Sequence, residues 1–102
     1  MRYWLVTLAS LAAILGVLPA QAQMTIDVGK ITCRQYLFDK NISPKAPTVA
    51  TWLSGYFNGK TNNTVIDIGT VAKNKDKVED YCRMNQDVTL IEAAQNALGL
   101  NK

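Results

Sequence analysis

The chain has 102 residues, with 11 Lys or Arg against 8 Asp or Glu, two cysteines and no histidine. A formal net charge of +3 spread along the whole length is too weak for a nucleic-acid surface, which needs a concentrated basic stripe. The missing histidine also removes any histidine charge switch between pH 5 and 8, and with only two cysteines present, zinc sites and His-containing triads lack their reagents.

The chain opens MRYWLVTLASLAAILGVLPAQAQ: a basic residue at Arg2, an apolar run from Trp4 to Leu18, then the small-x-small site Ala20-Gln21-Ala22. That order reads as a signal peptide over residues 1–22, cleaved after Ala22. The apolar run is about 15 residues, short of the roughly 20 that a spanning helix needs, so no membrane insertion of the mature chain is expected. What remains, residues 23–102, is a single exported domain of 80 residues, with ten basic groups after loss of Arg2, eight acidic ones and a formal net charge of +2. So short a chain buries only about 60 to 65% of its unfolded surface and benefits from a covalent staple. In an exported protein, Cys33 and Cys82 are most simply a disulfide, since the compartment is oxidising. Closing a loop of about 50 residues restricts the unfolded chain by about 4 kcal/mol on the loop-entropy model.

Helical periodicity dominates the rest. Thr32-Cys33-Arg34-Gln35 fits a T-x-x-Q capping box, with Ile31 and Tyr36 placed as a hydrophobic staple and Cys33, Tyr36 and Leu37 on one face of a short helix. The run DKNISPKAP then breaks the helix with two prolines and turn formers. In TVATWLSGYFNG, Pro47 stands where the first helical position should be and Gly59 where the helix should stop. Between them Val49, Trp52, Leu53, Tyr56 and Phe57 run i, i+3, i+4, i+7, i+8, an apolar stripe, with the small neutral Ala50, Thr51, Ser54 and Gly55 behind it. VIDIG alternates enough for a short extended piece or for the start of a further helix, the latter favoured with Asp67 as its cap. Asn74 caps KDKVEDYCRM, in which Val78, Tyr81 and Cys82 face inward, and Asp87 caps VTLIEAAQNAL, which ends at Gly99. The fold class is all-α: a small bundle of four or five short helices clamped by one disulfide.

Chemistry-bearing patterns are few. No G-x-S-x-G elbow and no phosphate-cradling glycine loop is present. Glu79 and Asp80 are helix neighbours about 100° apart that do not converge on a substrate. The reading is therefore not an enzyme, with no catalytic residue, no cofactor and no metal. On the charged helix, Glu79 and Arg83 stand i, i+4, as do Lys75 and Glu79, while Asp76 and Asp80 share a face as like charges. Such a ladder is ordinarily a solvated helix surface; the functional alternative is acid sensing, with Asp67, Asp76, Glu79 and Asp80 as the candidate carboxylates. Carboxyl side chains titrate near pH 4, so below about pH 3 the eight acidic groups neutralise and side-chain charge climbs from +2 toward +10.

Taken together, the Thr-Cys start ITCRQYL, the apolar helix VATWLSGYFNG, the turn into TVIDIG, and a second cysteine in VEDYCRMNQ 49 positions after the first resemble the HdeA/HdeB family of periplasmic acid-stress chaperones. The resemblance implies a four-helix, single-disulfide protein of the periplasm that is a homodimer near neutral pH. In acid it opens and binds unfolding periplasmic client proteins without ATP, as a holdase. Carried onto this chain, it makes Cys33 and Cys82 the bridge. Val49, Trp52, Leu53, Tyr56 and Phe57 become the stripe hidden in the dimer and offered to clients. The alternative is a small exported binding or inhibitor module that uses the same aromatic stripe on one fixed protein target at neutral pH.

Overall fold

The computed structural model describes residues 24–100. The leader expected at residues 1–22 lies outside the described residues. The architecture is all-α: α1 spans Cys33–Phe38, a single 3₁₀ turn Ser43–Lys45 leads into α2 at Ala46–Lys60, α3 spans Ile68–Met84 and α4 Leu90–Leu98. Among the described residues there is no strand, and one disulfide joins Cys33 to Cys82, as expected. No helix among the described residues is long and apolar enough to cross a membrane.

Six residues are too few for a helix to persist in water by itself. α1 survives because the donors of its first turn are all satisfied. The capping box forms as the sequence requires: Thr32 Oγ1 accepts from the Gln35 backbone at 3.1 Å, and the Gln35 side chain accepts from the Thr32 backbone at 2.9 Å. The Tyr36 amide goes to the Thr32 carbonyl at 3.0 Å. The two remaining amides reach across the molecule, Cys33 to the Val88 carbonyl and Arg34 to the Gln86 carbonyl, each at 2.9 Å. Leu90 returns the favour to Ile31 at 2.9 Å, so the two threonine caps, Thr32 and Thr89, face each other as an isolated antiparallel bridge. Four orphan amides per helix start is the rule to be met, and here α1 meets it with help from the approach to α4.

That bridge corrects the expected start of α4. Asp87 does not cap the helix; Thr89 does, its Oγ1 accepting from the Glu92 backbone at 3.2 Å. Residues 86–89 are held by their pairing with α1, and Asp87 instead turns outward to pair with Arg34. Two further boundaries differ from expectation. Asn74 caps nothing: Asp67 accepts from the Thr70 backbone at 3.0 Å and α3 runs unbroken through Asn74 for 17 residues. Without a proline to stop it, a mid-helix asparagine costs only a few tenths of a kcal/mol, so the extra element of the five-helix alternative merges into α3. Gly59 does not end α2, which continues through Lys60; the left-handed turn that follows belongs to Asn62, φ 59°, the non-glycine type that best tolerates it. Gly99, φ 68°, does close α4 as expected.

The core is one cluster. Cys33 and Tyr36 from α1, Val49 and Leu53 from α2, Val78 and Cys82 from α3, and Leu90, Ala93 and Ala94 from α4 are all buried, roofed by Val28 and Ile31 from the segment before α1. No polar or charged residue is buried among the described residues. The Cys33–Cys82 bond sits at the centre of this cluster, both sulfurs inaccessible, with the Cα atoms 5.0 Å apart.

Candidate functional site

The five residues of the α2 stripe divide between two environments. Val49 and Leu53 are buried and Phe57 is half-buried against the core, whereas Trp52 keeps 46% and Tyr56 37% of its surface in solvent. The reason is angular: positions 49, 53 and 57 drift little around the helix axis, while 52 and 56 sit on their flank. Ala50, placed on the back of the helix by the sequence reading, is buried at 8%, so the buried face is turned toward Ala50 and away from Trp52. The result is an outer aromatic ladder. The Trp52 and Tyr56 rings stack at 5.1 Å and 13°, Tyr56 meets Phe57 edge-on at 5.1 Å and 82°, and the Lys60 ammonium sits 4.6 Å from the Tyr56 centroid. Offset stacks and cation–π contacts of this kind hold side chains in one arrangement even at a surface. Trp52 also borders a hollow of about 340 Å³ shared with Met24, Ile26 and Thr48.

A second apolar surface was not anticipated. Val65 and Ile68 are 71% exposed and Ile66 is 48% exposed, in the connection from α2 to the first residue of α3. The signal is present in VIDI, three aliphatics with only Asp67 among them, a pattern that suits a helix start as well as a surface. Beside this connection, between α2 on one side and α3 and α4 on the other, runs a cleft of about 400 Å³ walled by Leu53, Phe57, Val71, Val78, Ala97 and Leu98. Asn58, Asn74 and Lys75 line it as well.

The four candidate carboxylates are not brought together. Asp67 caps α3, Asp80 pairs with Arg83 one turn on, and Asp76 lies exposed on the helix surface. Glu79 is different. Its side chain is 18% exposed, lies 2.7 Å from Lys75 Nζ and 4.0 Å from Arg83, and accepts a long hydrogen bond of 3.4 Å from the Tyr36 hydroxyl. It is the carboxylate that connects α3 to α1, and it shelters a lysine that lines the cleft. Among the described residues no group of three or more His, Cys, Asp or Glu side chains could hold a metal ion.

Burial pushes the Tyr36 phenol well above its usual value, with the Glu79 charge and hydrogen bond and then the Asp76 charge adding to it. The folded state therefore favours the neutral phenol. Its contribution to stability is complete below about pH 10, where an unfolded tyrosine begins to ionise, and is lost as the pH rises toward the folded value. Urea midpoints measured from pH 8 to 11 should fall more steeply for the native protein than for Tyr36→Phe; parallel curves would mean that the phenol is solvated.

No curated protein matches the chain, and no solved structure does. The family model HdeA/HdeB family matches residues 4–92, spanning all of α1, α2 and α3, both cysteines and the start of α4. The chain belongs to the HdeA/HdeB family.

Proposed function

We propose that this protein is an acid-activated, ATP-independent holdase of the periplasm, exported by a leader at residues 1–22 and working as the domain 23–102. At the level of the family the function is that of an acid-stress periplasmic chaperone, and the family is not enzymatic. The observation that carries the reading is the ordered but uncovered aromatic ladder of α2, Trp52 on Tyr56, on a helix that bears no charge between Lys45 and Lys60. An uncharged face can meet its own copy across a two-fold axis without bringing like charges together, which suits a homodimer near neutral pH. The same grease, with Val49, Leu53 and Phe57 beneath it, is what an opened monomer would offer to the apolar segments of unfolding proteins.

Acid supplies the trigger through ordinary electrostatics. Protonating Glu79 removes the carboxylate from Lys75 and Arg83, and protonating Asp80 and Asp87 frees Arg83 and Arg34. Exposed pairs are each worth little, about 0 to 1 kcal/mol. The sum of their loss with a side-chain charge rising toward +10 acts on a domain with a small margin. The positive charge then keeps an adhesive, opened chain in solution, and the disulfide, which does not titrate, keeps it able to reclose.

Purified protein should suppress light scattering of several unrelated unfolding proteins at about pH 3 and do little at pH 7. Trp52→Ala should weaken that suppression several-fold or weaken the neutral dimer. Tight binding of one target at pH 7, with no general suppression in acid, would establish the dedicated binding module in its place.

A further inference from the structure

We infer that α2 is the part of this molecule that opens, undocking as a single unit while α1, α3 and α4 remain joined. The inference deepens the holdase reading by naming which surface the opened state uncovers. It starts from where the polar and covalent ties fall. The disulfide joins α1 to α3. Backbone hydrogen bonds from Cys33, Arg34 and Leu90 join α1 to the segment leading into α4, and Arg34 pairs with Asp87 in that same segment. Tyr36 bonds Glu79 across α1 and α3, and Asn96 donates to the Tyr81 hydroxyl at 3.0 Å across α4 and α3.

For α2 the corresponding tally is empty. The side-chain hydrogen bonds of Ala46–Lys60 stay within the helix or its own C-terminal turn: Thr51 to the Pro47 carbonyl, Asn58 to Ser54, Thr61 to the Asn58 carbonyl. The Lys60 ammonium lies over rings of its own helix. Among the described residues, no hydrogen bond, ion pair or disulfide ties α2 to α1, α3 or α4. What holds it is the burial of Val49, Ala50 and Leu53 and the partial burial of Phe57, and even that contact is interrupted by the 400 Å³ cleft.

The connections on either side permit the movement. Residues 39–45 and 61–67 make only local hydrogen bonds, Asp39 holding Asn41, Ile42 and Ser43, and Asn63 holding Val65, with Ile42 packed on the core as the one apolar anchor of the first connection. At fifteen residues, two of them glycine, α2 lies at the lower edge of the length at which a helix persists alone in water, so undocking and fraying of the helix go together. Undocking also leaves the bonded remainder intact, since none of its ties passes through α2. The surface uncovered is then two-sided: Val49, Leu53 and Phe57 on the moving helix, and Val71, Val78, Ala97 and Leu98 on the wall it leaves. Sub-global openings of this kind are drawn from elements with few cross-links to the rest.

Native-state hydrogen exchange, read by mass spectrometry on the disulfide-intact protein at pH 7 in urea well below the unfolding midpoint and extrapolated to low protein concentration, tests this. The slowest amides of Ala46–Lys60 should exchange at least tenfold faster, after correction for intrinsic rates, than those of α3 and α4, and with a smaller urea dependence. If α2 shares the slowest class and the urea slope of α3 and α4, or if α1 or α4 opens first, the inference is wrong. Exchange is measured without client, so a protein that shows this pattern yet fails to suppress aggregation would defeat the holdase reading alone.

Discussion

Replacing Cys33 and Cys82 together by alanine should lower the melting temperature at pH 7 by roughly 15 to 30 °C. The loop closed by the bond has a sequence separation of 49, which on the chain-entropy model corresponds to about 4 kcal/mol. For a domain of this size each kcal/mol moves the midpoint by about 4 to 8 °C. The effect is large because the bond lies at the centre of the core and ties α1 to α3, and because total stability for so short a chain is about 4 to 12 kcal/mol. Thermal unfolding followed by circular dichroism checks it. A drop of less than about 5 °C would mean that the backbone bridge between Thr32 and Thr89 already restrains α1 as much as the disulfide does. The same variant should recover poorly after an acid pulse, since its opened chain has lost the tether that keeps α1 beside α3.

Leu90→Ala should cost about 3 kcal/mol. Leu90 is fully buried at the first position of α4, and its amide donates to the Ile31 carbonyl, so the side chain fills the space beneath the bridge that organises both helix starts. The backbone there is pinned by pairing on either side, which limits how far the cavity can collapse. Met84→Ala is the natural control: Met84 is 82% exposed, and its loss should change stability by less than about 0.5 kcal/mol. Urea unfolding at pH 7 separates the two. Equal midpoints for the two variants would contradict the burial described for Leu90.

Much of this fold could be read from short-range chemistry. The capping box at Thr32, the periodicity of α2, the glycine stop at Gly99 and the cysteine pair each act within a few residues or leave one alternative, and each was found as expected. Asp87 looks like a cap until the pairing of residues 86–89 with α1 is known, and that contact spans more than fifty positions. The T-x-x-E spacing of Thr89 and Glu92 is the available clue, masked by Asp87 standing just before the apolar run. Asn74 illustrates the opposite error, a favourable cap residue overruled by a helix with nothing to break it.

The candidate site was less legible. Periodicity gathers Val49, Trp52, Leu53, Tyr56 and Phe57 onto one side of a helix but cannot say which edge of so broad a stripe turns inward. That depends on where α3 and α4 lie, and it placed Ala50 inside and Trp52 partly outside. Among the carboxylates, sequence spacing recognised the i, i+4 partners of Glu79 yet had no access to its contact with Tyr36, 43 positions earlier. Nor could it distinguish a carboxylate that connects two helices from Asp76 or Asp80, which do not.

In the proposed function, a closed, tied bundle conceals its apolar interior while carboxylates are ionised and releases it when they are neutral. The most direct test follows molecular mass and the binding of an environment-sensitive apolar dye on one sample taken from pH 7 to pH 2 and back. The predicted result is a dimer with little dye binding near neutrality, a fall in mass with a steep rise in dye binding between about pH 5 and pH 2, and reversal on neutralisation. A protein that keeps its mass and stays dark to the dye through pH 2 would contradict the claim.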